Sequence, residues 1–111
     1  MDLIKLRPVA QKIFDDIREL TFDGIGVTRE SYGRGESAAA DYLKAYAQSE
    51  GLLAQTDKAA NLMFSQPGAA PDAPAIWTGS HIDSVPQGGN FDGLAGVLAG
   101  LLCLTARQRE K

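Results

Sequence analysis

The sequence predicts an α/β fold, a mixed sheet with flanking helices, and three patterns carry that expectation. Apolar residues recur at helical spacing in three stretches, near residues 8–21, 36–50 and 93–108. Short apolar segments bounded by Gly, Pro or Asp lie between the last two and read as strands. The third pattern is a junction. The run Ala75-Ile76-Trp77-Thr78 gives way at Gly79 to a polar, glycine-rich loop, which ends where the last helix begins.

The first helix is expected from about Pro8 to Thr21. Val9, Ile13, Ile17 and Leu20 form its apolar stripe with Phe14 beside it, and Pro8 suits a first turn that needs no N–H. Residues 22–35 hold four glycines and no clean period, so they read as a loop, with Arg29 solvated or, less simply, facing a substrate carboxylate. A second helix runs from about Glu36 or Ser37 to Glu50, with Ala39, Tyr42, Leu43 and Tyr46 on one face and Gly51 as its left-handed terminator. Leu52 to Asp57 and Asn61 to Ser65 are two strands joined by a turn at Asp57-Lys58-Ala59-Ala60, and residues 67–74 are a surface connection. Ala75 to Thr78 is expected to be a buried strand. The last helix, from about Gly93 to Gln108, sets Ala95, Gly96, Ala99 and Gly100 beside its leucines for close packing on a sheet, with Cys103 as a small core residue.

The chain is 111 residues long, the size of one domain, with no internal repeat. A net charge of −3 without a basic cluster argues against a nucleic-acid surface. One cysteine excludes an internal disulfide framework, and no apolar run is long enough for a signal peptide or a membrane span. A cytoplasmic location is the resulting expectation.

Chemistry concentrates in the stretch Gly79-Ser80-His81-Ile82-Asp83-Ser84-Val85-Pro86-Gln87-Gly88-Gly89-Asn90-Phe91-Asp92-Gly93. The one histidine of the chain stands where a strand ends, and Asp92 where a helix starts. Open α/β sheets bind ligands in that crevice. Imidazole and carboxylate are ordinary ligands of divalent metals, and a ligating histidine usually gives its other N–H to a carboxylate. Asp83 shares a face with His81 if the segment is extended. The ordinary alternatives stay open at this point: Asp92 as a helix N-cap, His81 as a hydrogen-bonded structural residue, Asp83-Ser84 as a turn.

As a block, Gly-Ser-His-Ile-Asp-Ser-Val followed by Gly-Gly-Asn-Phe-Asp-Gly-Leu-Ala-Gly-Val resembles the first metal motif of the dizinc aminoacylase/carboxypeptidase-like hydrolases. Within them it is most similar to the hydantoinase/carbamoylase branch of N-carbamoyl-L-amino acid hydrolases and allantoate amidohydrolases. Gly26-Val27-Thr28-Arg29 and Asp57…Asn61-Leu62 share that resemblance. It implies that residues 1–111 form the N-terminal portion of a zinc-peptidase-like catalytic domain, with the later catalytic part and the lid domain absent. It also implies two divalent metals per site, zinc first, with manganese, cobalt or nickel as alternatives. His81 would bind one metal, Asp92 would bridge both, and Asp83 would serve catalysis by holding His81. The peptide after Asp92 would be cis, and the complete enzyme a homodimer acting on a small molecule, with no nucleic-acid or membrane partner. The implied reaction is hydrolysis of a linear amide or ureido C–N bond in an N-carbamoyl amino acid or ureido acid. The alternatives are an aminoacylase or peptidase of the same superfamily, or a non-catalytic truncated product. The substrate-binding residues stay unassigned, and the fragment alone is expected to be inactive.

Overall fold

A computed structural model of the chain describes residues 2–111. A 3₁₀ turn, Ile4–Leu6, leads into α1 (Arg7–Thr21), followed by α2 (Arg34–Ser49), β1 (Leu53–Thr56), β2 (Leu62–Ser65) and α3 (Leu94–Arg109). Burial selects Ile13, Ile17 and Thr21 on α1, residues spaced by four, so Leu20 turns outward rather than completing the expected stripe. Opposite them lie Ala39, Leu43 and Ala47 of α2 and Leu94, Leu98 and Leu101 of α3, with Leu52 closing one cluster. Tyr42 donates from α2 to Asp16 of α1 at 2.5 Å, and the Tyr46 hydroxyl meets Thr105 of α3 at 3.0 Å.

The second helix starts two residues earlier than its apolar period suggests, because Gly33 serves as its N-cap. It ends as expected. Gly51 takes φ +80°, its N–H bonds Gln48 O at 3.0 Å, and Leu52 N–H bonds Ala47 O at 2.9 Å, which together satisfy the last free carbonyls. β1 and β2 are antiparallel, pairing Leu53 with Ser65 and Thr56 with Leu62. The Asp57 carboxylate builds the turn between them, accepting from the N–H groups of Ala59 and Asn61 at 2.9 Å each.

Three expectations are corrected. Ala75–Thr78 joins no sheet; the sheet among the described residues is the two-stranded β1–β2 pair, flanked by helices in the expected α/β arrangement. Ile76 and Trp77 are exposed. An apolar extended segment becomes a strand only when a neighbour takes its N–H and C=O groups, and no described strand lies beside this one. The region from 22 to 35 is not a free loop: Val27 is buried and bridges both Phe22 and Gly88. Cys103 is exposed rather than a core residue.

The small residues of α3 serve a different neighbour from the expected sheet. A Cβ at Gly100 would lie 2.9 Å from Thr78 Cγ2, one at Gly96 2.8 Å from Ser80 Cβ, and one at Gly93 2.4 Å from the His81 carbonyl oxygen. Residues 78–81 therefore run along a bare stripe of the helix. That contact delivers His81 to the start of α3.

Candidate metal site

Ile82 points into the core cluster, which turns His81 and Asp83 together to the opposite face of the extended segment. The imidazole Nδ1 lies 3.0 Å from the main-chain oxygen of Asp83 and 3.2 Å from its Oδ1. Both neighbours are acceptors, so Nδ1 carries the hydrogen and the Nε2 lone pair is left to face outward. Ser31, which sequence patterns did not single out, donates to Asp83 Oδ2 at 2.6 Å. That hydroxyl foremost, with the His81 ring beside it, holds the Asp83 carboxyl below its ordinary range. Asp83 is thus a carboxylate at neutral pH, suited to orienting the ring.

The Nε2 atom of His81 lies 3.6 Å from Asp92 Oδ2. That is too long for a hydrogen bond. It is close to the ~3.3–3.4 Å that separates two ligands of a tetrahedral ion with bonds of ~2.0–2.1 Å. The cap of α3 is Gly93, and no side chain caps that end, so Asp92 is not the N-cap that helix-start preferences suggest. Among the described residues its carboxylate receives no hydrogen bond and remains 83 % exposed. The residues therefore fit a divalent cation as one imidazole and one carboxylate donor. No group of three metal-ligating side chains exists among the described residues.

Gly93 shapes this pair. Leu94 N–H donates to Asp92 O at 2.8 Å, closing a three-residue turn with Gly93 at φ +73° and ψ −53°. The same glycine lies against the His81 ring, since its Cβ would come within 2.5 Å of Cε1 and 2.6 Å of Nδ1. The Asp92–Gly93 peptide is trans, as are the other peptides of the described residues, so the cis expectation does not hold here.

Arg29 overturns both readings made of it. It is neither solvated nor aimed at a substrate: the residue is fully buried. Its Nε donates to Ile82 O at 2.6 Å, Nη1 to Asn90 Oδ1 at 2.8 Å, and Nη2 to Asn90 O at 3.1 Å. Its main chain pairs with Ser84, whose N–H donates to Arg29 O at 2.8 Å and whose hydroxyl accepts from Arg29 N–H at 3.0 Å. Burial lowers its pKa, and the charge of Asp83 works in the opposite direction. A single arginine in a glycine-rich stretch gives no periodic signal, so burial could not be read from its neighbours.

Asp23 braces the other side of the loop. Its carboxylate accepts from Thr28 Oγ1, from Ile25 and Gly26 N–H at 2.9 Å each, and from Gln87 N–H at 3.2 Å. These donors, the Thr28 hydroxyl foremost, lower its pKa from 3.8 to about 2. Gly88 closes the loop against Val27 through hydrogen bonds of 2.8 and 3.0 Å.

No family profile matches the chain. Individual proteins do. It is 46% identical over 76 residues to an N-carbamoyl-L-amino acid amidohydrolase of Geobacillus stearothermophilus, a match covering 68% of this chain and 19% of that protein. With the N-carbamoyl-L-amino-acid amidohydrolase of Paenarthrobacter aurescens it shares 41% identity over 95 residues, covering 83% and 23% respectively. Among solved structures, that of AtUAH in complex with glyoxylate superimposes with a TM-score of 0.78 at 30% identity, over 92% of this chain and 25% of that one. The chain thus spans about a fifth of the length of the curated relatives it matches.

Proposed function

From a chain homologous to N-carbamoyl-L-amino-acid amidohydrolases over about a fifth of their length, we propose that it supplies one side of a metal-dependent amidohydrolase centre. The observation that carries this reading is the unbonded Asp92 carboxylate facing His81 Nε2 at 3.6 Å, with Nδ1 already engaged by Asp83. In this reading His81 and Asp92 would hold the metal, and the exposed Asp92 carboxylate, with two free oxygens, supports a role for it toward two ions. Asp83 and Ser31 fix the tautomer and direction of the imidazole. The chemistry that divalent ions supply in such a centre is polarisation of the scissile carbonyl and acidification of water to near-neutral pKa.

The substrate class is a linear amide or ureido compound, an N-carbamoyl amino acid or ureido acid, and the bond broken is C–N. The names of the relatives support this over an aminoacylase or peptidase specificity. Zinc is the ion that the imidazole and carboxylate donors suit first. The third ligand and the proton-transferring group come from residues outside these 111, in a homodimeric cytoplasmic enzyme. No helix of the described residues is long and apolar enough to cross a membrane.

The test is zinc titration of the chain, with the single imidazole followed by NMR. Zinc should perturb His81 Nε2 in the parent, and that perturbation should vanish in Asp92→Ala. An unresponsive Nε2 at millimolar zinc would sink the reading.

A further inference from the structure

The two ligand candidates sit on opposite ends of a ten-residue loop, and one buried side chain ties those ends together. We infer that Arg29 is a positioning residue, whose guanidinium bridges Ile82 and Asn90 and so sets the separation of His81 and Asp92 before any ion arrives. The inference rests on the metal-centre reading above and names what holds that centre in shape.

Ile82 lies between His81 and Asp83, and Asn90 lies two residues before Asp92. The 2.6 Å bond from Nε reaches the start of the loop, and the 2.8 and 3.1 Å bonds from Nη1 and Nη2 reach its end. A planar fork with donors on two edges can span both; a lysine ammonium, one point charge on a flexible stem, cannot. Asn90 completes the tie by donating from Nδ2 to Phe14 O at 3.0 Å, anchoring the end of the loop to α1. Every guanidinium nitrogen is engaged within the protein, and the residue is fully buried. Substrate contact is therefore closed to it. The main-chain bonds to Ser84 do not involve the side chain, so the loop keeps its attachment when the guanidinium is replaced.

The experiment compares the 111-residue chain with Arg29→Lys and Asn90→Ala, with folding checked by far-UV circular dichroism. Because the chain has one histidine, its ring nitrogens give one pair of resonances. At a pH where imidazole is neutral, about pH 8, these report the tautomer; zinc chloride titration then reports the affinity at Nε2. In the parent the hydrogen should sit on Nδ1. In both variants the tautomer ratio should drift toward that of a free histidine peptide, and the zinc midpoint should rise ~10–100-fold, the usual loss when an orienting group is removed. Folded variants with the parent's tautomer ratio and zinc midpoint would overturn the inference, leaving Arg29 as packing alone. Should Arg29→Lys unfold, Asn90→Ala decides by the same two readings. A parent that ignores zinc defeats the metal reading instead, while the tautomer comparison still decides the role of Arg29.

Discussion

Replacing Gly93 by alanine tests the geometry at its tightest point. The residue is held at φ +73° and ψ −53°, a conformation that costs an L-residue ~1–3 kcal/mol. The added methyl would also lie 2.4 Å from the His81 carbonyl oxygen and 2.5 Å from its Cε1. A backbone oxygen cannot rotate away, so the clash resembles overpacking of a filled core, ~1–3 kcal/mol more. The midpoints sum to about 4 kcal/mol, a large share of the ~5–15 kcal/mol that holds a domain folded. Melting followed by circular dichroism should fall by on the order of 15–30 °C. If the chain relieves the clash by moving His81, the melting temperature is partly kept and zinc binding weakens instead. Gly89→Ala is the control, since a Cβ there meets nothing within 4 Å; it should stay within about 0.5 kcal/mol of the parent. A Gly93→Ala chain with both the parent's melting temperature and its zinc affinity would show that the turn and the ring contact are not as described.

Three other outcomes are expected. His81→Ala and Asp92→Ala should each abolish zinc binding seen by calorimetry, whereas Asp83→Asn should weaken it ~10–100-fold; normal binding in Asp92→Ala would end its role as a ligand. The folded pKa of Asp23, about 2, lies below its ordinary 3.8, so its contribution is complete above about pH 4 and is lost as pH falls toward 2. The amide resonances of Ile25, Gly26 and Gln87 should then titrate with a midpoint near 2, and a midpoint at 3.8 would contradict the hydrogen-bond set. Finally, the chain on its own should not hydrolyse an N-carbamoyl amino acid in the presence of zinc, because it offers no third ligand among the described residues; turnover above the free-zinc control would refute this.

The parts of this molecule that sequence exposed are those governed by short-range rules. Helical periodicity located all three helices, Gly51 marked the end of α2, and Asp57 to Ala60 marked the hairpin turn. The His81–Asp83 relation followed from the two-residue period of an extended segment. What stayed hidden depends on neighbours far along the chain. Arg29 reaches Asn90 across 61 positions, and no local pattern marks an arginine whose acceptors are main-chain carbonyls and an amide. Ser31 meets Asp83 across 52 positions in the same way. Ile76 and Trp77 read as strand because they are apolar and bounded by breakers, but ladder formation requires a partner that local composition does not report.

The glycine stripe of α3 has a consequence for how order spreads through the chain. Two interior glycines, Gly96 and Gly100, cost the helix ~2 kcal/mol relative to alanine. A 16-residue segment so weakened is poorly helical in isolation. Its order comes from contacts, including residues 78–81 on the glycine face, and those residues in turn hold their extended path against the helix. Helix and segment are therefore one cooperative unit that opens and closes together. An ion held by His81 and Asp92, as proposed, would clamp both halves of that unit at one end. Amide hydrogens in the later turns of α3, remote from both ligand candidates, would exchange more slowly with solvent in proportion to how tightly the ion is held.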